Sequence, residues 1–226
     1  MSVEHQIGGR PFLLAGARLV ACASGALWWP DRALLAVSDL HLGKSERIAR
    51  RGGPMLPPYE TRDTLERLDA EVARLGPRAV VCLGDTFDDP AAAGGLEPMA
   101  ADWLTRLMAG RRWVWIEGNH DPGPVRLGGT HLAELQAAPL VFRHIARPGS
   151  SGEVSGHYHP KASVAGVSRR CFLYDSDRAI LPAFGTYTGG LRTTMPVLSD
   201  LMRPEARAIL TGPGTLEIPM PGRASG

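Results

Sequence analysis

The sequence predicts an α/β fold in which helices cover a β-sheet, and three observations lead to this prediction. Apolar runs with the length of buried strands recur between residues 18 and 144. Helical patterns lie between several of these runs, and strand–helix alternation is typical of layered α/β architectures. The 226 residues are 44% hydrophobic and 21% charged, which suits a globular chain with a sizeable core.

The apolar runs are rich in valine, leucine and tryptophan, and each is followed by polar or glycine-containing sequence. We predict that five of them are strands, at residues 18–23, 33–40, 79–87, 113–119 and 139–144. A three-residue apolar–polar stretch, residues 153–155, is a further strand candidate before a glycine.

The helices are indicated by apolar residues at helical spacing. The clearest pattern lies in residues 59–76, where Leu65, Leu68 and Val72 share one face. We expect Thr61 to be the N-cap of this helix and Gly76 to end it. A second helix is predicted from about residue 97 to 109, and a third in the basic segment that begins at residue 44.

The pattern changes after residue 160, where short apolar stretches are joined by polar turns without a long helix. This change indicates a meander or a second sheet. Because no linker separates the two halves, we predict one domain over residues 1–226, with a frayed tail from about residue 220.

Charge and cysteine content exclude some classes of protein. The net charge of +2 is too small to indicate nucleic-acid binding. Three cysteines without C-x-x-C spacing suggest buried thiols in a reducing compartment. The N-terminal apolar run is interrupted by Arg18, which leaves it too short for a signal peptide, and no stretch is long enough for a membrane span. We therefore expect a cytoplasmic protein.

Polar side chains cluster where the predicted strands end. In open α/β sheets ligands bind beyond the carboxyl ends of strands, so these residues are predicted to meet at one edge. Five of the seven histidines belong to the set, which consists of Asp39, His41, Asp85, Asn119, His120, His144, His157 and His159.

Such a mixture of carboxylate, amide and imidazole groups favours Mn²⁺, Fe²⁺ or Zn²⁺ over Ca²⁺. The set holds more ligands than one ion needs, which suggests two ions that share a carboxylate, about 3.5–4 Å apart. His157 and His159 are two positions apart, a spacing that places both side chains on one side of an extended segment. We expect one of these imidazoles to bind each ion.

The order of the motifs, D-x-H, G-D, G-N-H-D, H and G-H-x-H over residues 39–159, resembles the calcineurin-like metallophosphoesterase superfamily. This resemblance implies a four-layer αββα sandwich of two mixed β-sheets. It also implies a phosphoesterase in which a hydroxide between two metal ions attacks phosphorus in line.

The resemblance assigns a role to each motif residue. The first ion would be held by Asp39, His41, Asp85 and His159, and Asp85 would bridge to a second ion held by Asn119, His144 and His157. His131 is an alternative to His144, because His144 lies only 13 residues before His157. His120 would be the general acid, oriented by Asp88 or by its neighbour Asp89.

A narrower resemblance is carried by SDLHLGKS, GDTFDD, GEVSGHYHP and PAFGTYTGG. These segments are similar to the bacterial ligase-associated DNA damage response endonucleases, the PdeM family. That similarity implies a manganese-dependent phosphodiesterase, with Fe, Zn or Mg as alternatives, that acts on DNA in repair alongside a helicase and a DNA ligase. The motifs are not separated by a capping insertion, and a stiff duplex is costly to deform, so we expect single-stranded or unpaired DNA to be favoured. Where this family often carries histidine, the chain has Asp88.

Two other functions fit the same motifs. One is a phosphomonoesterase acting on proteins or nucleotides, and the other is a non-catalytic interaction scaffold, although the presence of His120 disfavours a scaffold. Substrate contacts are expected from Tyr158 and from a basic helix that can bind a nucleic-acid backbone. The alternative interpretation is that the basic residues only form the solvent-exposed face of that helix. The basic residues are Lys44, Arg47, Arg50 and Arg51.

Overall fold

Fifteen strands and five α-helices are found in the residues that this computed structural model describes, which are 8–121, 123 and 127–221. The strands are β1 Gly9–Leu14, β2 Ala17–Cys22, β3 Leu27–Trp29, β4 Leu34–Val37, β5 Ala79–Leu83, β6 Arg112–Ile116, β7 Thr130–Leu132, β8 Glu134–Ala137, β9 Leu140–Arg143, β10 Glu153–Ser155, β11 Lys161–Val164, β12 Val167–Tyr174, β13 Arg178–Ile180, β14 Arg207–Leu210 and β15 Leu216–Pro219. The helices are α1 Lys44–Arg50, α2 Glu60–Leu75, α3 Pro90–Gly94, α4 Pro98–Met108 and α5 Pro196–Ser199, and a 3₁₀ turn spans Pro30–Arg32.

The strands form two mixed sheets. The first has the order β1-β2-β3-β4-β5-β6-β7, antiparallel up to β4 and parallel from β4 to β7. The second has the order β15-β14-β12-β13-β10-β9-β8, and β11 pairs with β12 beside it. In the second sheet β13, β10 and β9 are parallel neighbours. The predicted second sheet after residue 160 is therefore present, and it also recruits β8 to β10.

The parallel strands of the first sheet are apolar on both faces, because both faces are covered. In β5, Val81 and Leu83 point into the core between the sheets, whereas Val80 and Cys82 pack against the helices. All five predicted strands are found, and the four that lead into polar motifs, β4, β5, β6 and β9, end before them. Only the apolar part of each run is paired in a sheet.

The two sheets pack face to face, and helices α2 and α4 cover the outer face of the first. In β12, Phe172 points into the core between the sheets, while Cys171 and Leu173 face the third cluster of buried residues. That outer cluster includes Leu198 of the four-residue helix α5. The predicted four-layer sandwich is confirmed, with a thin fourth layer over the second sheet in the described part of the chain.

The helix predictions hold except for one cap. Gly76 is the left-handed C-cap of α2, with φ of 56°, and its N–H donates to the carbonyl of Val72. Thr61 is not the N-cap, because Tyr59 occupies that position and Thr61 lies inside the helix. The Thr61 hydroxyl instead accepts from the N–H of Gly43 at 3.1 Å, which ties α2 to the start of α1.

The three cysteines are free and buried, and burial raises the pKa of Cys22 and of Cys171 to about 12. Met220 is buried in the cluster outside the second sheet, so the predicted tail does not begin there. The rest of that predicted tail, residues 222–226, lies outside the described residues. Among the described helices, none has the length and apolar character needed to cross a membrane.

Candidate metal centre

Every motif residue named from the sequence lies in a loop beyond the carboxyl end of β4, β5, β6, β9 or β10. Backbone hydrogen bonds join the first two loops, since the N–H of Asp39 donates to Gly84 O at 3.2 Å and that of His41 to Asp85 O at 2.9 Å. Both sheets therefore contribute to one site, because β4 to β6 belong to the first sheet and β9 and β10 to the second.

The backbone of these loops is strained. In the described part of the chain eight non-glycine residues have positive φ, and five of them are predicted metal ligands. A side chain rarely adopts this conformation, and such residues concentrate at functional sites, where surrounding contacts hold them in place. The five are Asp39 (53°), His41 (47°), Asp85 (46°), His157 (71°) and His159 (48°).

Two motif glycines allow the loops to approach closely. A Cβ on Gly84 would lie 2.5 Å from Nδ1 of His144, and a Cβ on Gly156 would overlap with the hydroxyl of Ser38. Each glycine thus lets a loop of one sheet pass against a ligand loop of the other. This contact between sheets gives the glycines of G-D and G-H-x-H a physical reason.

The first group of ligating atoms is formed by Asp39, His41 and His159, whose atoms lie within 4.8 Å of one another. His159 Nε2 is 3.2 Å from Asp39 Oδ1, while Asp39 Oδ2 accepts from the hydroxyl of Ser38 and from the N–H of His157. Although burial acts in the opposite direction, His159 and His144 lower the pKa of Asp39. This group can hold one metal ion.

The second group is formed by Asp85, His144 and His157. Nδ1 of His144 donates to Leu83 O at 2.7 Å, so its Nε2 faces the site, 3.4 Å from Asp85 Oδ2 and 2.9 Å from Asn119 Oδ1. Burial disfavours a charged His144, but Asp85 and Asp39 raise its pKa above the ordinary value. Burial, with the charge of His144, lowers the pKa of His157.

Asp85 lies between the two groups. Its Oδ2 is 3.4 Å from His144 Nε2 and 4.0 Å from His41 Nε2, while its Oδ1 accepts from the N–H of His120 at 2.8 Å. Burial acts to raise the pKa of Asp85, but His144 and His120 outweigh it and lower the pKa to about 2. The carboxylate is therefore ionised at neutral pH and is placed to be shared.

The arrangement of donors fits a metal centre. Nε2 of His41 is buried and, within the described residues, has no hydrogen-bond partner. Oδ1 of Asp39 is also buried, and it faces the imidazole of His159, whose Nε2 lies 3.2 Å away. Nε2 of His144 faces oxygens of Asp85 and Asn119 and Nδ1 of His157 at 3.2 Å, so several atoms with lone pairs converge on one point, as they do around a metal ion. Carboxylate, amide and imidazole donors of this kind suit first-row divalent ions.

The structure corrects the role expected for Asp88. Its Oδ1 accepts from Nδ1 of His41 at 2.7 Å, and its carboxylate also pairs with Lys44 and Arg47. His120 is held by the backbone instead, because its Nδ1 donates to the carbonyl oxygen of Asp88 at 2.8 Å. The Asp88 carboxylate thus orients His41, which is the arrangement that fixes the tautomer of metal-binding histidines.

Asp89 does not orient His120 either. Its Oδ1 accepts from the N–H of Ala92 at 2.8 Å and caps α3, and its carboxylate pairs with Arg50 and Arg51 at 3.1 and 3.5 Å. The basic residues predicted to touch substrate are therefore already paired with acidic residues. Lys44 and Arg47, which pair with Asp88, are mostly buried, whereas the side chains of Arg50 and Arg51 are 40% and 64% exposed.

Two further expectations concern His131 and Tyr158. His131 lies on β7 and stacks on Trp115, outside both groups of ligating atoms, so His144 is the better candidate ligand. Tyr158 packs partly against the cluster outside the second sheet, with its ring 5.0 Å from that of His157. Its ring is therefore only in part available for stacking on a base.

Asp121, the last residue of G-N-H-D, has a structural role that was not predicted from the sequence. Its carboxylate accepts from the N–H groups of Asp85, Thr86 and Phe87 at 2.9, 2.8 and 3.2 Å. Burial, assisted by the charge of Asp85, raises the pKa of Asp121 to about 6 despite these bonds. Asp121 thereby holds the loop that presents the shared carboxylate. The position of Asp121 at the end of the G-N-H-D motif was the feature of the sequence that could have indicated this role.

Comparison with known proteins identifies the relatives of this chain. A model of the calcineurin-like phosphoesterase family matches residues 33–187. The chain belongs to this family. The match confirms the broader resemblance and makes the chain a metal-dependent phosphoesterase. No significant match was found among curated protein sequences.

Two solved structures are similar. The crystal structure of the Pseudomonas putida nuclease MPE has a TM-score of 0.74 and 29% identity, covering 92% of this chain and 100% of that chain. Yfce, a phosphoesterase from E. coli, has a TM-score of 0.41 and 13% identity, covering 83% of this chain and 98% of that one. The similarity to a nuclease agrees with the narrower resemblance found in the sequence.

Proposed function

We propose that this phosphoesterase is a two-metal phosphodiesterase that cuts DNA, favouring single-stranded or unpaired regions and using Mn²⁺. The observation that carries the proposal is that two of three groups of potential ligands lie on either side of Asp85. The third group, His41, Asp88 and His120, places His120 beside them. On the narrower resemblance the proposal extends to DNA repair in the cytoplasm, with a helicase and a DNA ligase as functional partners.

The residues that would hold the ions follow from the two groups. Asp39, His41 and His159 would bind one ion, and His144 and His157 the other together with Asn119. Asp85 would be the shared carboxylate. When bound, two divalent ions would supply positive charge that stabilises a phosphoryl transition state and acidifies a water molecule.

His120 is placed to move a proton. Because its Nδ1 donates to Asp88 O, the second nitrogen, Nε2, is the one that can exchange a proton with substrate. Nε2 lies 4.0 Å from Asp85 Oδ2, and the side chain is 37% exposed at the mouth of the site. We assign to it the protonation of the leaving oxygen, a role that typically contributes about 10²–10⁴-fold to rate.

Support for DNA comes from the relative and from the accessibility of the site. The similar nuclease is covered over its whole length by this chain, so nothing large in it lacks a counterpart here. His157, His159 and His120 are all partly exposed, which leaves the ligand loops open to a polymer. A flexible strand can bring its phosphates to such an edge without the deformation energy of a stiff duplex.

A comparison of substrates tests the proposal. The metal-free protein, with Mn²⁺, Mg²⁺ or Zn²⁺ added back, would be assayed on an aryl phosphodiester and an aryl phosphomonoester side by side, and then on single-stranded and duplex DNA. We expect the diester and the single strand to be cleaved faster, with Mn²⁺ the best ion. Hydrolysis of the monoester alone would establish a phosphatase instead.

The number of ions is tested separately. Crystals soaked in Mn²⁺ should give two anomalous peaks, one within each group of ligating atoms. A single peak at saturating Mn²⁺, with Asn119 or His157 turned away, would exclude the two-ion site.

A further inference from the structure

The segment PAFGTYTGG, residues 182–190, is not used by the proposed chemistry, yet it contacts both loops of the first ligand group. The N–H of Phe184 donates to Ser38 O at 2.8 Å, and that of Gly185 donates to Asp39 O at 3.0 Å. Directly after the segment, the N–H of Leu191 donates to Tyr158 O at 3.3 Å, next to His159. The segment and the residue after it therefore hold the loops of Asp39 and His159 in place through backbone hydrogen bonds.

Arg170 on β12 holds this segment on its other side. Its Nη1 donates to Ala183 O at 3.1 Å and to Phe184 O at 3.4 Å. Its Nη2 donates to Gly185 O at 2.7 Å and to Thr186 O at 2.9 Å. One guanidinium group thus collects four consecutive carbonyl oxygens, and its planar fork is suited to contacts of this kind.

The geometry of the peptide bond links the two sets of contacts. In a trans peptide the C=O of one residue and the N–H of the next point in opposite directions. The carbonyls of Ala183 and Phe184 turn toward Arg170, so the N–H groups of Phe184 and Gly185 turn away from it. Those are the N–H groups that bind the carbonyls of Ser38 and Asp39.

The position of Arg170 is itself fixed. Its backbone pairs with Lys161 on β11, the strand that follows His159, and its carbonyl accepts from the N–H and the hydroxyl of Thr211 at 2.9 and 3.0 Å. Burial, with the nearby charge of Arg67, lowers the pKa of Arg170 to about 10, still well above neutral. The charge is retained, and four carbonyl dipoles take the place of its hydration.

We propose that Arg170 is a positioning residue for the first of the two metal sites, acting through the backbone of residues 183–186 on the loop of Asp39 and His41. The effect should be larger at the first site than at the second, although the loop of Asp39 and His41 is also joined to that of Asp85 by backbone hydrogen bonds. The loop of Asp85 is held instead by Asp121, and His144 is held by Leu83 O. This inference rests on the proposed function, because it requires that two ions bind.

The test measures Mn²⁺ binding by Arg170→Lys, using electron paramagnetic resonance to detect the free ion. Thermal unfolding of the metal-free variant shows separately whether its stability has changed. The lysine keeps the charge but cannot serve four carbonyls. We expect wild type to bind two equivalents and the variant to bind one of them about 10–100-fold more weakly, as is typical when a group that orients ligands is lost.

Two backgrounds assign the weakened site. In a His144→Ala background, which damages the second group, Arg170→Lys should weaken the remaining site. In a His41→Ala background, which damages the first group, Arg170→Lys should leave the remaining affinity unchanged. Equal weakening in both backgrounds would show a general structural role and overturn the proposal. Failure of wild type to bind two ions would contradict the proposed function instead.

Arg169→Gln is the matched control. Arg169 is on the same strand and donates to Thr211 O and Gly214 O, both at 2.5 Å, away from the ligand loops. It should lower thermal stability without changing Mn²⁺ affinity, and a loss of affinity equal to that of Arg170→Lys would overturn the proposal.

A second measurement needs no variant. In metal-free wild type, the amide protons of Phe184 and Gly185 should already exchange slowly with solvent. Protection that develops only after Mn²⁺ is added would mean that the ion, and not Arg170, orders this segment.

Discussion

Two neighbouring sets of buried charges in this protein are built on opposite principles. In the Glu153 cluster, defined as Glu134, Arg143, Glu153 and Arg178, each carboxylate meets a guanidinium group. Arg143 lies 2.9 Å from the fully buried Glu153 and 3.2 Å from Glu134, and Arg178 lies 3.5 Å from Glu153. These charges neutralise one another, so the cluster requires nothing from outside the chain.

The metal centre, one of whose residues is His144, directly after Arg143 in the chain, lacks this balance of positive and negative charge. Asp39 and Asp85 are opposed mainly by imidazoles, which are charged only when protonated, and not by guanidinium groups. Burial is similar in the two sets, so burial alone does not mark a functional site. The difference is whether the chain supplies its own counter-charge.

The strongest test of this difference removes the shared carboxylate. Asp85→Asn should lower turnover by about 10³-fold, a size typical for loss of one group that stabilises a transition state, and it should weaken Mn²⁺ binding. Glu153→Gln serves as the control and should keep both Mn²⁺ equivalents. Loss of metal binding in the control as well would contradict the separation of the two sets.

The second test measures stability. Glu153→Gln removes the carboxylate that two buried guanidinium groups share, and only Arg143 keeps another, that of Glu134. The change should cost about 3–5 kcal/mol. Urea unfolding should give the same loss in EDTA and in Mn²⁺, because this cluster binds no ion. Glu134→Gln, at a more exposed carboxylate, should cost about 1 kcal/mol or less. A loss that depends on Mn²⁺ would show that the cluster and the metal centre are coupled.

The third test concerns the proton at the edge of the metal centre. His120→Ala should lose about 10²-fold or more in turnover on a diester with a poor leaving group. The loss should be smaller on a nitrophenyl ester, whose anion leaves without protonation, and Mn²⁺ binding should be retained. Equal losses on the two esters would assign His120 to substrate binding.

The smallest effect is expected from removing Arg50 and Arg51. Like the arginines of the Glu153 cluster they are paired with a carboxylate, but their side chains are exposed to solvent. Arg50 and Arg51 are bound to Asp89 and can exchange it for a phosphate. Replacing both with alanine should reduce the salt dependence of single-stranded DNA binding, by about 0.7 in slope for each phosphate that the protein no longer binds. An unchanged slope would mean that these arginines serve only to hold Asp89.

Much of the fold could be read from the sequence because its signals are local. Apolar runs predicted β4, β5 and β6, and helical spacing predicted α2 with its glycine end. The cap at Thr61 was misassigned, since the hydroxyl of that residue is used by Gly43 from another helix. The preference for threonine at an N-cap reflects only the residues of the adjacent turn. It does not predict a hydrogen bond to a residue that is distant in the sequence.

The sequence also indicated which side chains come together at the candidate site, because each motif follows a strand whose carboxyl end meets the others. The hydrogen bonds that hold these side chains in place could be seen only in the folded structure. Local spacing suggested an extended segment for His157 and His159, whereas both have left-handed φ. They lie in different ligand groups, as expected. Asp88 serves His41 with its side chain and His120 with its backbone. Such choices depend on contacts between loops far apart in the chain, and no local pattern encodes them.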